Sequence, residues 1–176
     1  MPRLFIGLEL PAILTEELAL FRGGISGGRW IDPENYHITL RFIGDIDHAT
    51  ARDIFGVLSQ IRRSAFTVTL AGLDFFGGDR PRAIVAKVQA GQPLLELQAE
   101  QERLLRRIGL APEPRKFTPH VTLARLRQAS PMAVADYLSA RGFLSRRFAA
   151  ERFVLFSSKD SVGGGPYQIE AAYPLL

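Results

Sequence analysis

Two segments of this chain share one four-residue pattern. They are His37-Ile38-Thr39-Leu40 and His120-Val121-Thr122-Leu123, 83 positions apart in 176 residues that hold only three histidines. An imidazole has an ordinary pKa of about 6.5, so near neutrality one histidine can carry a proton while another lacks it. Two such groups facing one bond form an acid–base pair. Opening a cyclic phosphodiester needs that pair: a base takes a proton from water, and an acid protonates the departing ribose oxygen. The hydroxyls of Thr39 and Thr122 can donate to non-bridging phosphate oxygens, and an arginine can offset charge building on phosphorus. Side chains supply every role, so the chemistry requires neither a metal nor a cofactor.

The pattern must sit on strands to work. Side chains on a strand alternate between faces. His37 and Thr39 then share one face while Ile38 and Leu40 share the other, and the same holds for His120 and Thr122 against Val121 and Leu123. Each strand can bury its aliphatics and present a His-Thr pair to a cleft. An arginine follows each motif, Arg41 and Arg125. Alternation puts Arg41 on the histidine face. It puts Arg125 on the opposite face, so a twist or bulge must intervene for Arg125 to reach the cleft. Pro33 and Pro119 precede the two motifs, and duplication of a unit explains the spacing.

The remaining chain supports this arrangement. Leu4–Leu10, Tyr36–Ile43, Phe66–Leu70, Ala83–Val88, His120–Leu126, Phe148–Phe156 and Tyr167–Tyr173 read as strands. Ala12–Phe21, a segment from an N-cap at Thr50 to about Ile61, Pro93–Ile108 and Pro131–Arg141 read as helices. Gly23-Gly24 and Gly27-Gly28 bracket a loop, and Gly163-Gly164-Gly165-Pro166 separates the last two strands. No glycine-rich phosphate loop follows a strand. The expectation is an α+β fold with largely antiparallel sheet, a single domain over 1–176 built of two duplicated lobes.

Composition narrows the class. Hydrophobic residues make up 47% and charged residues 23%, which fits a packed interior and argues against disorder. Cysteine is absent, which removes disulfides, thiolate ligands and a cysteine nucleophile. No apolar run is long enough for a secretory core or membrane span, and a cytoplasmic monomer is the simplest reading. Net charge is +4 with only three lysines, so the basic side is nearly all arginine. Guanidinium groups suit a phosphate-bearing partner, although genome composition explains an arginine bias equally well.

Other candidates carry less. Asp45, Asp47 and His48 could be combined as a metal site, but a polar turn before a helix explains them. Trp30, Tyr36 and Phe42 could stack a terminal base, with core packing expected for Phe42 by its parity with Ile38 and Leu40. Ser157-Ser158-Lys159 reads as a strand end, and Arg103, Arg106 and Arg107 as a solvated helix face.

Together these motifs resemble the 2H phosphoesterase superfamily, named for two H-x-T/S motifs. Within it the chain is similar to the RNA 2',3'-cyclic phosphodiesterases, once called 2'-5' RNA ligases. The resemblance runs from Arg3-Leu4-Phe5-Ile6-Gly7-Leu8 and Arg29-Trp30, through Pro33-Glu34-Asn35-Tyr36 and the first motif to Gly44. It continues through Phe117-Thr118-Pro119 and the second motif to Arg125, then Phe153–Ser158 and Tyr173-Pro174-Leu175. It implies a bilobal fold whose pseudo-symmetric lobes flank a central groove, His37 as proton donor, His120 as proton acceptor, Thr39, Thr122 and Arg125 as substrate contacts, and a 2'-phosphomonoester product. Arg41 joins the substrate contacts through its parity. The implied partner is RNA with a 2',3'-cyclic phosphate end, tRNA fragments among them. Two alternatives stand: ATP-independent 2'-5' ligation by the reverse chemistry, and a non-catalytic RNA-end binding module.

Overall fold

The computed structural model describes residues 3–141, 143–158 and 165–176. Among the described residues four α-helices and nine strands form an α+β fold around one open antiparallel sheet. The strands are β1 (Arg3–Glu9), β2 (Gly28–Trp30), β3 (His37–Asp45), β4 (Phe66–Phe76), β5 (Ala83–Val88), β6 (His120–Leu126), β7 (Ser145–Ala150), β8 (Arg152–Ser158) and β9 (Tyr167–Pro174). Their order across the sheet is β7-β4-β5-β6-β3-β1-β8-β9, with β2 pairing the far end of β6. The helices are α1 (Ala12–Ala19), α2 (His48–Leu58), α3 (Gln92–Arg107) and α4 (Pro131–Ala140).

The two motif strands meet at the centre. Strands β3 and β6 pair antiparallel at Ile38 and Val121, which occupy equivalent motif positions. A local two-fold axis through that pair relates one motif to the other. Outward from β3 the order is β1, β8, β9; outward from β6 it is β5, β4, β7. The halves are interleaved in sequence: β4 follows β3 in the chain yet joins the half of β6, while β8 returns to the half of β1. That return explains one difference from the sequence reading. The run Phe148–Phe156 is two strands, broken at Glu151, where the chain leaves β4 and crosses to β1.

The aliphatic motif residues anchor the sheet. Ile38, Leu40, Val121 and Leu123 are buried, as are Leu94, Leu97, Leu104 and Leu105 of α3 and Ile54 and Leu58 of α2. Burying each such side chain contributes about 1.5–3 kcal/mol. Helix α2 starts three residues earlier than expected: the Asp47 carboxylate accepts from the Thr50 amide at 2.7 Å, so Asp47, not Thr50, is the N-cap. Ser130 caps α4 in the same way through the Ala133 amide. Among the described residues no helix is long and apolar enough to cross a membrane.

Candidate active site

Each motif strand carries one extra residue at the same place. Against β1, the β3 register slips between Gly7↔Thr39 and Ile6↔Arg41, so Leu40 is a bulge. Against β5, the β6 register slips between Val85↔Thr122 and Ile84↔Ala124, so Leu123 is a bulge. A bulge reverses the parity of everything after it. Arg125 therefore turns to the face of His120 and Thr122, while its two-fold counterpart Phe42 turns to the face of His37 and Thr39. Phe42 is 42% exposed there, not packed in the core as alternation implied.

Arg41 is turned the other way. It is buried at 6% exposure on the helix-covered face, where its Nε donates to Glu102 at 2.5 Å. Its remaining nitrogens donate to the carbonyls of Phe42 and Ala111, both at 2.6 Å. Glu102 also accepts from Arg106 and from the Glu113 amide. Burial alone would raise the Glu102 carboxyl, but the Arg41, Glu113 and Arg106 donors outweigh it and hold its pKa at about 2. Arg41 thus ties β3 to the segment that leads into the second motif, and the structure does not bring it to the histidines.

The histidines are set by their own backbone. His37 Nδ1 lies 2.9 Å from the Asn35 carbonyl, and His120 Nδ1 lies 2.6 Å from the Thr118 carbonyl. A carbonyl only accepts, so each Nδ1 carries the hydrogen and each Nε2 is left to exchange protons. His37 Nε2 is 3.0 Å from Thr39 Oγ1. The antiparallel register about Ile38 and Val121 sets His37 level with Thr122 and His120 level with Thr39.

Aromatic rings make the two imidazoles unequal. Phe5, Tyr167 and Phe156 surround His37 at 4.9, 5.1 and 5.7 Å between ring centroids. His120 has Phe76 edge-on at 4.8 Å. Burial drives the His37 pKa down to about 4, the Asn35 carbonyl opposes that, and the charges of His120 and Arg125 add to the fall. His120 is also lowered, by burial first and by Arg125. The two imidazoles thus resist their cationic form, and an anion placed between the rings would reverse this. The aromatic ring-shell was missed from sequence, because Phe5 and Phe156 look like ordinary strand residues. Gly7 was missed as well: a β-carbon there would lie 2.8 Å from the Ile38 carbonyl oxygen and 3.1 Å from the Phe156 ring.

The other sequence candidates lie elsewhere. Trp30 packs toward Tyr137 at 5.6 Å and Tyr36 is buried in the core. Asp45 pairs with Arg3, and Asp47 caps α2. Ser157 donates to Glu170 at 2.5 Å, while Lys159, Gly163 and Gly164 lie outside the described residues.

The profile of the LigT like Phosphoesterase family matches the chain twice, over residues 8–86 and 84–167. The chain belongs to this family. Each match holds one His-Thr motif. An RNA 2',3'-cyclic phosphodiesterase of Aeropyrum pernix is 43% identical over 101 residues, 56% of this chain and 57% of that protein. A protein of the same name from Geobacillus stearothermophilus is 28% identical over 98% of this chain and 57% of its own length. The chain thus spans a little over half the length of these two LigT-like relatives. A crystal structure of Escherichia coli LigT complexed with 3'-AMP superposes with a TM-score of 0.79 and 25% identity, covering 99% of both chains.

Proposed function

We propose that this chain hydrolyses RNA 2',3'-cyclic phosphodiester ends to 2'-phosphomonoesters by metal-independent acid–base catalysis. The observation that carries the reading is the pair of Nδ1-anchored histidines on adjacent strands, related by the axis through Ile38 and Val121. The names of the Aeropyrum and Geobacillus relatives support the substrate class. The 3'-AMP held by Escherichia coli LigT is a nucleotide with a phosphate on the ribose 3' oxygen.

In the mechanism, His120 Nε2 takes a proton from water as the water oxygen bonds to phosphorus. The bond from phosphorus to the 3' oxygen breaks, and that oxygen takes the proton from His37 Nε2. The phosphate stays on the 2' oxygen. Thr39 and Thr122 donate to the non-bridging oxygens, and Arg125 offsets the charge gathering on them. The acid role of His37 follows the family resemblance; burial alone disfavours its protonated form, and an anion bound against the buried ring would offset that. Arg41 has no part at the phosphate.

The test is ring opening of a short RNA with a cyclic phosphate end in excess EDTA. Wild type should open it, and His37→Ala and His120→Ala should each lose about a thousandfold or more in kcat. Full activity in both variants would refute the reading. Failure of wild type in EDTA, restored by a divalent ion, would refute metal independence.

A further inference from the structure

The duplicated halves serve as controls for each other, and one pair of equivalent positions differs in charge. Directly across from His37 on the groove face stands Glu9; directly across from His120 stands Lys87. Residues opposite each other in an antiparallel pair share a face. Glu9 is closed off by an ion pair with Arg152 of β8 at 2.6 Å. Lys87 is exposed, and among the described residues no carboxylate pairs with it.

The neighbour of Lys87 is equally uncommon. Gly72 of β4 has φ +90°, a conformation that strains any residue with a β-carbon. A β-carbon there would lie 3.6 Å from the Phe143 ring and 3.9 Å from Lys87 Cε. Phe143 and the Lys87 stem therefore lie over Gly72 on the groove side. The Gly72 amide donates to the Leu144 carbonyl at 2.7 Å, and Ala71 pairs with Ser145, which pins the Phe143 backbone to β4. The ring itself is 79% exposed. Folding gains little from a phenylalanine left that open.

We propose that Lys87 and Phe143 form a second subsite, which takes the RNA nucleotide next to the terminal one. Lys87 contacts its phosphate and the Phe143 ring stacks its base. An exposed aromatic beside a free cation is the pairing that single-stranded nucleic acid uses. The position fits: strands are spaced about 4.8 Å, so β4 lies about 10 Å from the His120 strand, one strand beyond Lys87. Among the described residues the ion-paired Glu9–Arg152 side offers no such cation, so the RNA chain leaves over Lys87. This proposal rests on the RNA-end reading above.

The experiment compares binding of a 3'-phosphorylated mononucleotide and a 3'-phosphorylated RNA trinucleotide by calorimetry. Wild type should bind the trinucleotide more tightly. Lys87→Ala and Phe143→Ala should each lose about tenfold for the trinucleotide and nothing for the mononucleotide, with Lys87→Arg retaining both. Lys87→Ala should also reduce the salt slope of trinucleotide binding by about one. Equal affinity of wild type for the two ligands, or variants that weaken both equally, would overturn the subsite. These binding results are read without turnover. Absence of ring opening in wild type would instead overturn the catalytic reading and leave the binding comparison to decide the subsite.

Discussion

Binding a phosphate should convert His37 from a neutral ring into an acid. In the free protein its pKa is held at about 4 by burial among Phe5, Phe156 and Tyr167. At pH 7 about one molecule in a thousand would then carry the proton. A phosphate monoanion about 4 Å from the ring, at an effective dielectric constant of about 20, contributes about 4 kcal/mol to the protonated form. At about 1.36 kcal/mol per pKa step, that raises His37 by about three, to about 7. About half the bound molecules would then hold an acid at neutral pH. Histidine-labelled protein, titrated by NMR with and without a nucleotide 2'-monophosphate, reads both values. A free-protein pKa near 6.5, or no rise on binding, would refute the reasoning. Because the two rings interact, the titration should be repeated in His120→Gln, where the rise should persist.

Three further outcomes follow from the same geometry. The folded pKa of His37 lies below its unfolded value of about 6.5, so the unfolded chain takes the proton first as pH falls. Stability should drop by about 3 kcal/mol between pH 6.5 and 4, and urea unfolding of His37→Gln should show a correspondingly flatter pH dependence. Arg41→Met leaves the partly buried Glu102 carboxylate with only Arg106 and the Glu113 amide and should cost about 3 kcal/mol in unfolding free energy. The double variant Arg41→Met, Glu102→Leu should recover most of that in the same denaturation assay. Arg125→Ala should lower kcat/KM about a hundredfold and raise the His120 pKa, since the Arg125 charge adds to burial in depressing it; an unchanged His120 titration would contradict its placement.

The motifs were legible because alternation holds where it matters. His37 to Thr39 and His120 to Thr122 precede their bulges, so the period of two places all four side chains on one face of the sheet. The same rule failed one residue later. Leu40 and Leu123 look like any buried strand leucine, and nothing in their identity announces an inserted residue. Arg41 was therefore assigned to the cleft and Phe42 to the core, the reverse of their positions. Arg125 could be flagged in advance as needing a bulge, and Leu123 supplies it. Strand β2 was hidden because three residues, the first of them a glycine, show no period; it forms through pairing with β6. The crossing at Glu151 was equally hidden, since apolar runs, Phe148-Ala149-Ala150 and Phe153-Val154-Leu155-Phe156, flank Glu151-Arg152. The antiparallel α+β class survived these errors, because it rests on the alternation of whole segments rather than on their ends.

The central claim assigns the acid to His37 and the base to His120. A cyclic substrate with sulfur in place of the 3' oxygen tests it most directly. A thiolate leaves without a proton, as its pKa of about 8.5 allows. His37→Ala, crippled on the oxygen substrate, should open the sulfur substrate at near the wild-type rate, while His120→Ala should fail on both. Rescue of His120→Ala instead, or equal loss of His37→Ala on the two substrates, would contradict the assignment.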